Sequence, residues 1–157
     1  VWVRASRLGD YAMPPADEHF RRLERMYASA PINAFFSPVL RVSEGSAEVT
    51  IAVRPDFFHA AHAVHGSVYF KALDDAAFFA ANSVVTDVFV LTVSFNIVLM
   101  SPVTVGALVA TGQLVHRSSN LLVAEAVLRN ERERIVARGT GTFMRSKIPL
   151  SPPVGYE

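Results

Sequence analysis

The sequence contains no cysteine, and this absence excludes several kinds of chemistry. Without a thiol the chain forms no disulfide bond, offers no cysteine nucleophile and has no thiolate ligand for a metal. Residues 1–10 also lack the charged and then apolar order of a secretory signal. Both observations are compatible with the cytoplasm, where we expect the protein to act.

Long apolar runs are absent as well, although 51% of the 157 residues are hydrophobic. No uninterrupted apolar stretch reaches the roughly 18 residues that a membrane-spanning helix requires. We therefore expect no membrane partner. The large apolar fraction instead favours a surface that a second subunit covers.

Neither sign of charge dominates, because 15 basic residues are set against 14 acidic ones and the net charge is +1. The densest basic cluster is Arg21, Arg22 and Arg25, and Glu24 interrupts it. A nucleic-acid-binding surface needs a larger field of one sign, so we expect no nucleic-acid partner.

Three histidines recur at every third position, at residues 59, 62 and 65, with Asp56 close by. Such a group could ligate a metal, but its spacing matches no established zinc motif. The sequence therefore predicts neither a metal site nor an organic cofactor.

The hydropathy pattern predicts an α+β chain. An amphipathic helix is expected over residues 16–30, and a long, nearly uncharged one over 68–85. Between them the pattern predicts strands over 34–42 and 47–53 and a loop over 54–64. A helix that is apolar on most sides should be buried on most sides.

From residue 86 to residue 147 the apolar residues recur with a period close to two, which is typical of strands. We expect four strands there, over residues 91–99, 105–116, 121–129 and 134–145. Hairpin connections would make them antiparallel. One sheet on one face of a single apolar helix leaves another side of that helix for a second subunit to cover.

Three segments follow from this pattern. We place an arm and the amphipathic helix in residues 1–30, the main domain in 31–148 and a loose, proline-rich tail in 149–157.

The long helical segment begins just after His65-Gly66-Ser67 and carries Asp74 in apolar surroundings. Aspartate is almost never fully buried without a partner or a function, so this carboxylate is a candidate for catalysis. Asp74 follows Gly66 by two helical turns, about 12 Å along a straight helix. A reacting carbonyl must lie about 3 Å from both an oxyanion donor and the attacking group or its water. If both residues act, they therefore act from different subunits.

Other interpretations of these residues stay open at this point. Asp74 could be a carboxylate whose hydrogen bonds are made at a subunit interface. Asp75 is a weaker candidate, because the helical step of about 100° turns it to another side. Asn82 lies on roughly the same side as Asp74 and could bind substrate or simply end the helix. Ser67 beside His65 could belong to a serine hydrolase triad, but the Gly-x-Ser-x-Gly elbow is missing.

His65-Gly66-Ser67 with Asp74, Asn82-Ser83 and the stretch from residue 90 to residue 144 together resemble the hotdog-fold acyl-CoA thioesterases. The branch they resemble is the phenylacetate-pathway and 4-hydroxybenzoyl-CoA type. The resemblance covers about residues 35–145 and includes a closing Ala-x-Gly-Thr-Gly-Thr-Phe strand. It implies a hotdog fold, in which an antiparallel sheet wraps around one long central helix. It also implies an obligate oligomer whose sheets pair edge to edge and whose sites lie across the interface.

The resemblance assigns roles to individual positions. Gly66 would supply an oxyanion N–H, Asp74 would be the general base or nucleophile, and His65 would shape the site at the start of the helix. The substrate would be an aryl or medium-chain acyl-CoA, and the assembly a homodimer or a homotetramer built as a dimer of dimers. The positions expected to bind substrate are His59, Ser67, Asn82, Arg117 and Ser118.

Several positions depart from the usual family pattern. Ser67 replaces the second Gly of His-Gly-Gly, His59 replaces an Asn or Gln that orients substrate or water, and His62 stands where Gly is usual. Arg117-Ser118-Ser119 stands where an Arg-Gly-Arg turn often contacts the CoA nucleotide. A non-catalytic module that binds acyl thioesters is therefore an alternative function. An acyl-CoA hydratase or dehydratase is a further alternative, although its usual pairing of a His with a distant carboxylate is not found around residues 59–75.

Overall fold

The computed structural model describes residues 15–157, in which one long helix lies across a six-stranded antiparallel sheet. The helices are α1 (Ala16–Ser29), α2 (Asn33–Phe36) and α3 (Gly66–Asn82). The strands are β1 (Val39–Ser43), β2 (Ser46–Ala52), β3 (Val88–Leu99), β4 (Ala107–Arg117), β5 (Leu121–Arg129) and β6 (Ile135–Pro149). The predicted α+β arrangement, a sheet around one central helix, is confirmed.

Small side chains let α3 lie directly on the sheet. Ala76, Ala77 and Ala80 are fully buried, and α3 contacts β2, β4 and β5. Gly112 of β4 lies so close to α3 that a Cβ there would stand 2.1 Å from the carbonyl oxygen of Ala76. Only glycine fits at that crossing. Among the described residues no helix is both long and apolar enough to cross a membrane.

The strands lie in the order β1-β2-β4-β5-β6-β3. The predicted antiparallel pairing is confirmed, but the expectation that hairpins join all four later strands is wrong for β3. This strand pairs with β6 instead of β4, because residues 100–106 form an open loop across the end of the sheet. β3 is therefore one edge of the sheet and β1 is the other.

The amphipathic helix predicted for residues 16–30 is α1, which buries Phe20, Leu23 and Met26 and packs against β1. The arm expected before this helix falls in residues 1–14, which lie outside the described part of the chain. The strand predicted over residues 34–42 is correct only in its second half. Phe35 and Phe36 instead belong to the short helix α2 and pack on Phe57, with ring centroids 5.5 and 5.4 Å away.

The tail expected to be loose packs against the domain. After β6 ends at Pro149, a 3₁₀ turn at Pro152–Val154 brings Tyr156 back onto α1. Tyr156 is buried, and its hydroxyl lies 2.7 Å from Nδ1 of His19. His19 is buried as well, and its Nε2 lies 3.0 Å from the carbonyl oxygen of Asn82. Prolines end the strand, but they do not prevent this aromatic contact.

Candidate active site

His65 and Ser67 cap the start of α3. His65 has extended backbone, and its Nδ1 accepts hydrogen bonds from the Ser67 N–H at 3.1 Å and the Ser67 hydroxyl at 2.8 Å. Gly66 is the first residue of the helix, and its own N–H has no hydrogen-bond acceptor within residues 15–157. The first N–H groups of a helix carry partial positive charge, so this donor can bind a developing oxyanion.

Gly66 borders a cavity of about 310 Å³. Its other lining residues are His59, Val64, Tyr69, Leu99, Met100, Ser101 and Pro102. Nδ1 of His59 accepts a hydrogen bond from the Ala61 N–H at 3.0 Å. A neutral ring that accepts at Nδ1 carries its proton on Nε2, so His59 can donate a second hydrogen bond. The cavity is mostly apolar but has two N–H donors beside it.

The backbone of His62 explains one departure from the family pattern. Its φ is +61°, in the left-handed region that glycine adopts without strain. A histidine tolerates this conformation at some cost. The left-handed backbone of the turn before α3 would therefore suit a glycine at position 62.

Asp74 is partly buried on α3, and its Oδ1 accepts a hydrogen bond from the Thr92 hydroxyl at 3.1 Å. Burial raises the pKa of this carboxyl to about 6. The hydrogen bond from Thr92 and the charge of Lys71 act in the opposite direction, and the neighbouring Asp75 raises the pKa further. Such a carboxylate is ionised at neutral pH and is more basic than an ordinary aspartate, which suits a general base.

Asp75 is held in a separate polar cluster. Its Oδ2 accepts hydrogen bonds from the Tyr27 hydroxyl at 2.5 Å and from Nζ of Lys71 at 2.6 Å. Burial, together with the Asp75 carboxylate, raises the pKa of Tyr27. The two adjacent aspartates therefore have different surroundings, and only Asp74 borders β3.

Within one chain Gly66 and Asp74 stay apart. They lie two turns apart on α3, and each lies against a different part of β3. Gly66 approaches Leu99, whose Cδ1 would lie 3.1 Å from an added Cβ, whereas Asp74 contacts Thr92. The helical rise of about 1.5 Å per residue keeps the two functional groups too far apart for one carbonyl.

Strand β3, which borders both Gly66 and Asp74, has exposed apolar residues along the edge of the sheet. The exposed fractions of these side chains lie between 47% and 57%. The residues are Leu91, Val93, Val98, Leu99 and Met100. A long, apolar edge strand is a ready template for pairing with another chain.

The prediction that Asn82 binds substrate is wrong. Asn82 is fully buried, and its side-chain amide donates to the carbonyl oxygens of Val85 and Val88 at 2.9 and 3.3 Å. Its Oδ1 accepts from the Val90 N–H at 3.1 Å. The side chain thus joins the end of α3 to β3, and it has no polar atom left for a ligand.

Arg117, the last residue of β4, and Ser118, in the turn that follows, lie at a second cavity. Ser119 and Arg145 also line this cavity. Ser118 closes the turn through hydrogen bonds with the backbone of Leu121 at 3.1 Å. No described residue lines both this cavity and the one at Gly66. Residues 15–157 contain no group of three or more acidic or histidine side chains arranged to hold a metal.

Thr92 is the site residue that sequence reasoning missed. It is one of several polar residues that alternate along β3, together with Ser94 and Asn96. The alternation indicates a strand but does not show how β3 lies on α3. Its contact with a carboxylate 18 residues earlier follows only from the three-dimensional arrangement.

The sequence profile of the thioesterase superfamily matches residues 61–137, a range that contains Gly66, Asp74 and Thr92. No functionally curated protein matches the chain significantly.

Solved structures share the fold. The PaaI protein of E. coli, from the phenylacetic acid degradation operon, is 22% identical, with a TM-score of 0.79 over 87% of this chain and 99% of that one. A phenylacetic acid degradation-related protein of Ralstonia eutropha is 24% identical, with a TM-score of 0.71 over 80% and 98%. A thioesterase of Haemophilus influenzae is 16% identical, with a TM-score of 0.70 over 76% and 85%. The expected hotdog fold is confirmed.

Proposed function

We propose that this chain, whose residues 61–137 match the sequence profile of the thioesterase superfamily, hydrolyses an acyl-CoA thioester to a free acid and CoA. The observation that carries this proposal is Asp74, a partly buried carboxylate with a pKa raised to about 6. It lies on the same helix whose first N–H, at Gly66, has no acceptor among the described residues. A base and an oxyanion donor are the two groups that acyl transfer to water requires.

In the proposed reaction the thioester carbonyl oxygen accepts a hydrogen bond from the Gly66 N–H. Asp74 of the partner subunit takes a proton from a water molecule, whose oxygen attacks the carbonyl carbon. The tetrahedral intermediate then collapses, the C–S bond breaks, and the proton passes to the CoA sulfur. Alternatively, Asp74 attacks the carbon itself, the C–S bond breaks and CoA leaves as the thiolate, and water then hydrolyses the resulting anhydride to the free acid and restores the Asp74 carboxylate. Both routes use the same two residues.

The proposal requires a homodimer, because one chain cannot bring Gly66 and Asp74 to one carbonyl. The exposed apolar edge of β3, which borders both residues, is the surface that we assign to this dimer. A twofold axis would then create two equivalent sites, each with Gly66 from one subunit and Asp74 from the other. Two such dimers could associate into a homotetramer.

Substrate-binding roles are proposed for four further residues. His59 would donate its Nε2 proton to the substrate or to the attacking water, in place of the amide usual in the family. Ser67, whose hydroxyl lies 2.8 Å from Nδ1 of His65, would contact the substrate at the start of α3. Arg117 and Ser118, beside Arg145, would bind phosphate groups of CoA at the second cavity. We propose a cytoplasmic location, where acyl-CoA is available.

Thiol release from a panel of aryl and alkyl acyl-CoAs tests this function. Asp74→Asn is expected to lower turnover on the order of 100-fold or more while the protein stays folded. Glu48→Gln, which changes an exposed carboxylate on β2, is the matched control and should retain full activity. Near-normal turnover by Asp74→Asn would overturn the assignment.

The same panel separates the alternatives. Loss of an enoyl-CoA chromophore without thiol release would indicate a hydratase. Tight binding of acyl-CoA without turnover of any panel member would indicate a binding module.

A further inference from the structure

Helix α3 places an aromatic residue midway between the two proposed catalytic groups. Gly66, Phe70 and Asp74 follow one another at intervals of four residues, so they share one side of the helix. Each of them meets a different residue of β3. Gly66 lies against Leu99, Phe70 against Phe95, and Asp74 against Thr92.

The twofold axis that the proposed function requires has a consequence for Phe70. If Gly66 of one subunit and Asp74 of its partner meet at one carbonyl, the reverse pair meets at the other. The two α3 helices must then run antiparallel past each other. Residue 70 is the midpoint between residues 66 and 74, so it faces its own copy across the axis. This step depends on the catalytic arrangement proposed above.

Phe70 packs against β3 although the residue is 41% exposed. Its centroid lies 5.5 Å from that of Phe95, and the two rings are perpendicular at 89°. Phe95 in turn lies over two glycines of β6. A Cβ at Gly139 would stand 2.3 Å from the Phe95 ring, and one at Gly141 would stand 2.7 Å from it. The two glycines thus leave space on β6 for the Phe95 ring, against which Phe70 packs.

We propose that the two Phe70 rings meet at the twofold axis and form the common inner wall of both acyl sites, and that this wall selects aryl acyl groups over extended alkyl chains. An aromatic acyl group packs on such rings by offset stacking or edge-to-face contact. An extended chain that starts from the same carbonyl runs into the wall. Phe70 is therefore a specificity-determining residue.

A comparison of benzoyl-CoA with octanoyl-CoA tests the selection. Phe70→Ala removes the wall, so the ratio of kcat/KM for benzoyl-CoA to that for octanoyl-CoA should fall by about tenfold. Phe70→Leu keeps most of the volume without the ring and should lose aryl preference with a smaller gain on octanoyl-CoA. If Phe70→Ala also weakens the dimer, Phe70→Leu supplies the comparison.

An unchanged ratio in both variants, or an equal loss on both substrates, would overturn the proposal. Failure of the proposed function has a different signature, since the native protein would then release thiol from neither substrate.

The absence of cysteine allows a direct test of the position of residue 70. In Phe70→Cys the only thiols of the dimer are the two at residue 70, and a short bis-maleimide should join them into a covalent dimer. Val39→Cys is the control, because Val39 is 51% exposed on β1, at the opposite edge of the sheet. A dimer of Phe70→Cys that stays uncrosslinked, or one that crosslinks no faster than Val39→Cys, would overturn the placement.

Discussion

At Asp74, burial and hydrogen bonding act on the pKa in opposite directions. Loss of water around the carboxylate raises the pKa, and the Thr92 hydroxyl at 3.1 Å lowers it. The result, about 6, leaves the group ionised under neutral conditions. The neighbouring Asp75 is occupied by Tyr27 and Lys71, so the protein has one aspartate for structure beside one available for chemistry.

The pH dependence of activity follows from this pKa. A general base must be ionised, so kcat/KM should be constant above pH 7 and should fall below a pKa of about 6. Thr92→Val removes a hydrogen bond that lowers the pKa, so the acid limb should move to higher pH. Initial rates of thiol release between pH 5 and pH 8, at roughly even pH intervals, measure the acid limb of the native protein and that of Thr92→Val. A native profile that stays flat down to pH 5 would contradict the role of Asp74.

The same pKa predicts a conflict between stability and activity. The folded protein raises the pKa of Asp74 from 3.8 to about 6, so ionising Asp74 costs stability as the pH rises through this interval. Asp74→Asn removes the cost and should raise the free energy of unfolding at pH 8 by on the order of 1–2 kcal/mol, with allowance for its partial exposure. At pH 4 the difference should nearly vanish. Denaturant unfolding at both pH values is the measurement, and a loss of stability at pH 8 would contradict it.

The sequence indicated the partial burial of Asp74 but not the hydrogen bonds of Asn82, and both outcomes have one physical reason. A carboxylate in an apolar helix is conspicuous from sequence alone, because burying it needs a cause. The polarity of Asn82 has two equally good explanations, a ligand contact or a backbone contact. The three backbone hydrogen bonds of its amide become visible only in the folded chain.

At the scale of elements, periodicity predicted the type of nearly every element but not the neighbours of β3. Alternation located β2 and β5 closely, since each buries one face. It failed at residues 33–36, where the aromatic contacts of Phe35 and Phe36 with Phe57 favour a short helix. Strand order depends on contacts between distant segments, which a local pattern does not contain.

The packed tail is an element whose contribution to stability can be measured. Tyr156→Phe removes the hydroxyl beside Nδ1 of His19 and leaves a buried polar nitrogen without its partner. We expect the free energy of unfolding to fall by about 1–3 kcal/mol. kcat should stay unchanged, because Tyr156 contacts α1 and is not part of either cavity lining. Unchanged stability would show that the tail does not hold α1 in place.

The edge strand β3 is the element that we propose forms the dimer interface. Val93 is 57% exposed on this edge, so Val93→Lys should place a charge in the proposed dimer interface and shift the protein toward monomer. Activity should fall with the dimer fraction, because each proposed site needs two subunits. Val39→Lys, on the opposite edge, is the control and should leave the dimer fraction and the activity unchanged. Light scattering measures the oligomeric state of the two variants, and thiol-release assays measure their activity. An active Val93→Lys monomer would contradict the shared site.

At the scale of the whole molecule, the proposed reaction needs two subunits that each supply half of a site. Gly66→Pro removes the proposed oxyanion N–H at the first position of α3, where proline is well tolerated, and the extended His65 before it suits a following proline. Gly66→Ala keeps the N–H and adds a similar contact with Leu99, so it is the matched control. Gly66→Pro and Asp74→Asn should each be inactive on its own.

Mixing these two inactive variants tests the shared site most directly. In a dimer of one Gly66→Pro chain and one Asp74→Asn chain, one site keeps both native residues and the other has neither. Co-expression at equal levels should therefore restore about a quarter of native thiol release, since about half of the dimers are mixed and each has one intact site. No recovery in a mixture shown to contain mixed dimers would place Gly66 and Asp74 in separate functions and contradict the account.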